Sequence, residues 1–161
     1  MTGAIALAGL SALRSGAGLV RLAVSEKCLG IVAAIEPSYM TLPLPSDEQG
    51  RIALAAKETL SAAIDAATAI GCGPGLAQSE ELAQLVAWLY AEVDKPAVFD
   101  ADALNLLAQQ KQVLSASQAP RVLTPHPGEF SRLTGKSTKE VQQYRESLAV
   151  DFAEQYGCIL L

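Results

Sequence analysis

The chain has 161 residues, half of them hydrophobic and 18% charged, with a formal net charge of −5 and a pI near 4.8. That composition excludes a disordered chain and is enough for one domain with a sizeable core. The acidic balance, with no basic stripe, argues against nucleic acid as a partner, while backbone amides at helix starts can still take a phosphate.

Thr2 is placed to cap a helix over about Gly3 to Ser15, rich in Ala and Leu and so expected to be mostly buried, with Gly16 as its stop. The run lacks a basic segment in front and is too short to span a membrane, so a buried helix is preferred to a targeting segment, and a cytoplasmic setting follows. Leu19 to Val24 reads as a strand, and Ser25 caps a short helix ending before Glu36-Pro37. Pro37 to Gly50 reads as a loop with a short extended piece at Tyr39 to Leu42. Arg51 to Ala66 is expected to be helical, and Thr68 to Cys72 to be a buried strand.

Ser79 opens the clearest helix, with Glu80 and Glu81 in its first turn and Leu82, Leu85, Val86 and Leu89 along one side. Ala97 to Asp100 is the next strand, followed by a helix from Ala103 to about Gln110. Arg121 to Thr124 is a further strand, ending at Pro125-His126-Pro127-Gly128-Glu129. The two prolines bar His126 from the middle of a helix or a central strand, so a strand stops there and a short helix begins. Ser137 to Glu140 is a capping box for a helix with Val141, Tyr144, Leu148 and Phe152 inward. Gly157 to Leu161 reads as a last buried strand. This alternation predicts an α/β fold in three layers, α/β/α, with a mostly parallel sheet, in a single domain over 1–161. Cys28, Cys72 and Cys158 are odd in number and far apart, so free thiols are expected rather than a disulfide or zinc site.

Three junctions fall at the C-terminal ends of predicted strands, the edge where open parallel sheets bind ligands. Gly73-Pro74-Gly75 lets a ligand approach the backbone, or is an ordinary turn. Asp100 and Asp102, with Asn105 beyond them, could hold magnesium or accept from sugar hydroxyls, although Asp102 also suits a helix cap. His126 and Glu129 could bond a polar ligand, or be a stiff turn and a first-turn acid. No Ser/His/Asp set and no Walker loop is present.

Ala12-Leu13-Arg14-Ser15-Gly16-Ala17-Gly18-Leu19-Val20, Gly73-Pro74-Gly75-Leu76, Phe99-Asp100-Ala101-Asp102-Ala103-Leu104-Asn105 and Leu123-Thr124-Pro125-His126-Pro127-Gly128-Glu129-Phe130 occur in this order. Together with Met1-Thr2-Gly3-Ala4 they resemble the ADP- or ATP-dependent NAD(P)H-hydrate dehydratases, which have a ribokinase-like fold. The resemblance implies repair of hydrated NADH or NADPH: a nucleotide, ADP or ATP with Mg2+, phosphorylates the added hydroxyl, and loss of phosphate restores the cofactor. Carried over by motif, Ala4, Gly75 and His126 correspond to substrate contacts, with Gly73, Asp100, Asp102, Asn105 and Glu129 in support.

The family's Lys-Gly stretch and its later Gly-Gly-x-Gly-Asp segment, with the aspartate base, have no counterpart in these 161 residues. The expectation is therefore a truncated, substrate-binding part that is inactive alone, with an apolar sheet edge or face left open to homo-oligomer formation. The alternatives are a ribokinase-like kinase of a vitamin-precursor alcohol, which the His-Pro-Gly-Glu run disfavours, and a non-catalytic fragment or binding module.

Overall fold

The computed structural model describes all 161 residues. Helix α1 (Thr2–Arg14) leads to strand β1 (Arg21–Ser25), then a 3-10 turn and the short helix α2 (Leu29–Ala33). Strand β2 (Met40–Leu44) pairs parallel with β1, in a two-stranded sheet of their own. Helix α3 (Ala56–Asp65), β3 (Ile70–Cys72), α4 (Glu80–Ala91), β4 (Ala97–Phe99), α5 (Asp102–Leu107), β5 (Arg121–Leu123), α6 (Pro127–Thr134), α7 (Thr138–Gln143), α8 (Arg145–Tyr156) and β6 (Ile159–Leu160) complete the chain. Strands β3, β4, β5 and β6 form a parallel sheet in that spatial order.

That order has a geometric consequence. Crossovers between neighbouring parallel strands are right-handed, so strands added in one direction put all their connecting helices on one face. The main core accordingly joins Ala97, Phe99 and Leu123 of the sheet to Leu82, Leu85, Val86 and Leu89 of α4, Leu104 of α5 and Phe130 of α6. The opposite row consists of Gly71, Val98, Val122 and Ile159, aligned by the register. Val98 and Ile159 stay 42% and 52% exposed there, so one apolar face of this sheet is open. A smaller core of Val20, Leu22, Val24 and Val32 lies under α1 and α2, and Leu44 of β2 joins the main one.

Several local expectations change. Thr2 lies inside α1 and provides no side-chain cap, and only Ala6 and Gly9 of that helix are buried. α1 docks through a narrow contact: a Cβ at Gly9 would sit 2.8 Å from Leu22 Cδ2, and Tyr39 Oη donates to the Ala6 carbonyl. Apolar composition alone overstated its burial. The short extended piece expected at Tyr39 to Leu42 is strand β2, which runs on to Leu44, and Pro43 is tolerated there because the strand's other edge has no partner. Helix α3 starts later than expected because Ile52 bridges back to Ser46. Ser25 does not cap; its buried Oγ has no partner. β3 and β6 are edge strands rather than fully buried ones. A 3-10 turn at Lys111–Ser115 was not foreseen. The helix after Ser137 breaks at Tyr144, which is exposed, although Ser137 Oγ accepts from the Glu140 N–H at 3.2 Å as the capping box requires. The Ser79 cap is as predicted, accepting from Leu82 N–H at 3.1 Å.

At the end of the sheet opposite the strand tips, Arg121 is fully buried. Its guanidinium donates to the carbonyls of Tyr90 (2.8 Å), Val93 (2.6 Å), Lys95 (2.8 Å) and Pro120 (3.3 Å). It therefore satisfies the C-terminal end of α4 and the turn into β4, where a helix leaves carbonyls without partners. Burial lowers its pKa, opposed by Tyr90 and Asp94. Removing it strands several buried acceptors at once, so Arg121→Ala is expected to lose about 3 kcal/mol or more of stability in urea unfolding. A loss below about 1 kcal/mol would show that water replaces the guanidinium at no cost.

Candidate functional site

The three predicted junctions meet. Cys72, Phe99 and Leu123 stand in one register row at the tips of β3, β4 and β5. Asp100 N–H donates to the Cys72 carbonyl at 3.0 Å and Thr124 N–H to that of Phe99 at 3.3 Å, so each tip leans on its neighbour. Gly73 has φ +126°, and a Cβ there would lie 1.7 Å from the Asp100 carbonyl oxygen. No side chain fits, so glycine lets two strand tips touch through their backbones.

Gly75, at φ +73°, is crowded from another side. The Met1 amino group donates to its carbonyl at 2.8 Å, and a Cβ on Gly75 would meet Met1 O at 2.4 Å and Ala4 Cβ at 3.2 Å. The start of α1 is thus laid against the β3 tip, and Ala4 and Gly75 are neighbours despite their separation in sequence.

Asp102 is not a helix cap. Ala101, the residue before α5, takes φ +50°, and the carboxylate of Asp102 reaches across instead. Its Oδ2 accepts from Ala77 N–H at 2.9 Å and its Oδ1 from Gln78 Nε2 at 3.4 Å. Ala77 itself has φ +70°. The only two non-glycine residues at positive φ therefore flank one side chain: one precedes Asp102, and the other is held by it. Each such alanine costs on the order of 1 kcal/mol or more, and persists where surrounding contacts fix it. Asp102 clamps the loop that carries Gly73 and Gly75.

His126 is the N-cap of α6, with Pro127 in the first position. Its Nδ1 accepts from Gly128 N–H at 3.0 Å, while Glu129 Oε2 accepts from His126 N–H at 3.0 Å. This is a capping box with histidine in the place of serine. Because Nδ1 is an acceptor, the neutral ring carries its proton on Nε2, which lies 3.2 Å from Glu129 Oε1. Glu129 is buried at the positive end of the helix, whereas the imidazole is 64% exposed. The carboxylate fixes the ring from below and leaves its face to solvent.

Asn105, on α5, accepts through Oδ1 from Arg132 Nη1 of α6 at 2.9 Å. With Gln78 and Gln109 these residues line a cavity of about 420 Å³. A larger open groove, about 760 Å³, lies elsewhere, between α3 and α4 around Lys57, Asp65 and Trp88. No three His, Cys, Asp or Glu side chains cluster so as to hold a metal ion, and Asp102 is committed to the 77–78 backbone and side chain. No helix is long and apolar enough to cross a membrane.

The whole chain, residues 1–161, matches the family model described as NAD(P)H-hydrate dehydratase. The chain belongs to that family. It is 40% identical over its full length to the bifunctional NAD(P)H-hydrate repair enzyme Nnr of Moorella thermoacetica, covering 30% of that protein. It is 34% identical to the ADP-dependent (S)-NAD(P)H-hydrate dehydratase of Bacillus subtilis, covering 53% of it. The crystal structure of the Bacillus subtilis ADP/ATP-dependent NAD(P)H-hydrate dehydratase, co-crystallised with ATP/Mg2+ and soaked with CoA, superposes with a TM-score of 0.74 at 31% identity. That match covers 99% of this chain and 54% of the other. A ribokinase-like superfamily protein of Enterococcus faecalis, 21% identical with a TM-score of 0.77, shares the fold. The chain spans about half the length of the dehydratases it matches and under a third of the bifunctional enzyme.

Sequence reasoning reached the three loops of this family member but missed Ala77, Gln78 and Arg132, whose roles appear only across elements. Two measurements test the geometry. Gly73→Ala is expected to unfold the chain or lower its stability by about 3 kcal/mol, because the new methyl meets backbone and the φ is wrong for alanine. Gly71→Ala, two residues earlier and facing open space, should be neutral or slightly stabilising, and equal losses in urea titrations would refute the contact. The second test uses Cys72, whose half-buried position at the β3 tip pushes its thiol up to about 12. The protonated thiol is favoured by the fold, so its contribution is complete below the ordinary thiol value and lost as pH rises toward 12. Unfolding free energies at about pH 8 and about pH 10 should fall less steeply for Cys72→Ala than for the parent.

Proposed function

We propose that the strand-tip loops bind the hydrated nicotinamide of NADH or NADPH, as the substrate-binding part of a nucleotide-dependent dehydration that restores NAD(P)H. The observation that carries this reading is that Ala4 and Gly75 pack together at the tip of β3 while the His126 loop leaves β5 at the same end of the sheet, in a chain whose family is named for that reaction. Ala4 and Gly75 offer a small, side-chain-free wall against which a flat ring can lie. His126 supplies a rigid exposed imidazole whose Nε2 side is open to a carboxamide or hydroxyl oxygen of the substrate. Glu129 is then a positioning residue, and Gly73, Asp100 and Asp102 set the shape of the wall, with Asn105 at its flank.

The reaction adds phosphate from ADP or ATP, with Mg2+, to the hydroxyl at the hydrated carbon; phosphate then leaves and the ring double bond returns. The groups that move the proton and stabilise the phosphoryl group are not assigned to these 161 residues. The reading places the chain, as one domain, in the cytoplasm, where the pyridine nucleotides are used, and its open apolar sheet face favours self-association.

Calorimetric titration of the purified chain with NADPH hydrate and with NADPH tests this. The hydrate should bind, and His126→Ala should weaken it roughly tenfold, the worth of one hydrogen bond to a fixed donor. Glu129→Gln should weaken it less, because an amide still accepts from His126 N–H. No measurable hydrate binding, or unchanged affinity in His126→Ala, would overturn the assignment.

A further inference from the structure

Beside the strand tips, the cavity between the 76–78 loop, α5 and α6 has a chemistry that the ring-binding wall does not use. At about 420 Å³ it is too small for a whole dinucleotide and ample for a phosphate on a ribose. Its polar lining is Gln78, Asn105, Gln109 and Arg132: three carboxamides and one guanidinium, in a chain of net charge −5, with one Gln78 Nε2 donor already directed at Asp102 Oδ1 at 3.4 Å.

Arg132 forms no ion pair. One of its five N–H donors goes to Asn105 Oδ1, at 2.9 Å. That bond also orients Asn105: with its oxygen held by Arg132, the amide has its N–H2 donors left for a ligand. A group rich in acceptor oxygens and carrying negative charge is what such donors match, and guanidinium suits phosphate through paired, charge-assisted bonds. The position agrees. Gln78 follows Gly75 by three residues, and Arg132 lies six residues beyond His126, about 9 Å along α6 at the rise of an α-helix. A ligand with its ring at Gly75 and His126 has its phosphates one nucleotide unit away.

We propose that this pocket seats a phosphate of the dinucleotide, with Arg132 as the anchoring charge and Gln78, Asn105 and Gln109 as supporting donors. The proposal rests on the substrate reading above, and its first test is independent of that reading. The 15N-labelled chain is titrated with inorganic pyrophosphate while the side-chain amide signals of Gln78, Asn105 and Gln109 are followed. They should shift in the parent and stay still in Arg132→Gln; still signals in the parent overturn the proposal even if hydrate binds.

A second set of arms finds which phosphate is held. Affinities of the parent, Arg132→Gln and Arg132→Lys are compared for the hydrates of NADPH, NADH, reduced nicotinamide mononucleotide and reduced nicotinamide riboside. Arg132→Gln should lose about tenfold on the ligand whose phosphate fills the pocket and nothing on the phosphate-free riboside, with Arg132→Lys between the two. A loss confined to NADPH hydrate places the 2′-phosphate there. A loss shared by both dinucleotides but not the mononucleotide places the adenosine-side phosphate, and one shared by the mononucleotide places the nicotinamide-side phosphate. The affected affinity should also fall more steeply with salt in the parent than in Arg132→Gln. An equal loss on all four, the riboside included, would mean that Arg132 only props Asn105 and would overturn the proposal. Pyrophosphate shifts with no hydrate bound would sink the substrate reading and leave a phosphate pocket.

Discussion

The contact between Gly73 and the carbonyl of Asp100 sets the position of everything at the strand tips. With no room for a Cβ, the backbone leaving β3 lies on the backbone leaving β4. The chain then has little freedom in how it turns: Pro74 fixes its own φ, Gly75 takes the left-handed region, and Asp102 reaches over to hold Ala77. Two alanines at positive φ remain in place because each is tied to that same carboxylate or its helix. Strain of this kind survives where contacts over-determine it, and here they do so around a wall meant to be rigid. On the proposed reading, a wall of backbone and small residues has no side chains to reorder when a ligand arrives, so little conformational entropy would be lost on binding.

The two ends of the sheet divide the labour. At the end where the strands begin, Arg121 fills the carbonyls of α4 and the following turn from within, where no ligand reaches. At the other end, loops and helix starts face outward with donors unspent. The arrangement follows from parallel strands, since every crossover returns the chain to the same starting edge and releases it at the same finishing edge. The sequential strand order adds its own consequence, because one face receives all the helices of these crossovers and the row through Val98, Val122 and Ile159 receives none.

What could be read from the sequence was whatever local chemistry dictates. Pro125 and Pro127 force a junction at His126, Ser79 with its acidic first turn starts α4, and apolar runs mark the strands of the large sheet. These are decided within a few residues, as were the site candidates at Gly73, Gly75 and His126. What escaped depends on partners far along the chain. The extended piece expected at Tyr39 to Leu42 continues through Pro43 to Leu44 because β1 offers it an edge, and nothing local overrides the signal of Pro43. Asp102 reads as a cap in sequence, yet the unexpected φ of Ala101 starts the helix one residue earlier and frees the carboxylate for Ala77. Helix α1 looks like a core element by composition, and its exposure follows from one narrow docking line through Gly9. Arg121 is legible only as the start of a strand, and its burial depends on four carbonyls of α4, the following turn and Pro120 that converge on it.

His126 shows how a capping geometry limits the chemistry open to a residue. A general base needs a lone pair facing its substrate, and the Nδ1 lone pair is already committed to the Gly128 amide. Nε2 carries the proton in the neutral ring and rests against a buried carboxylate. The ring is thus prepared to donate, not to abstract. The Gly128 amide sets the tautomer, and the Glu129 carboxylate, accepting from the backbone of His126, fixes the start of α6. A histidine fixed in this way has one N–H free to aim at a carbonyl or hydroxyl oxygen, the geometry that the proposed binding role needs.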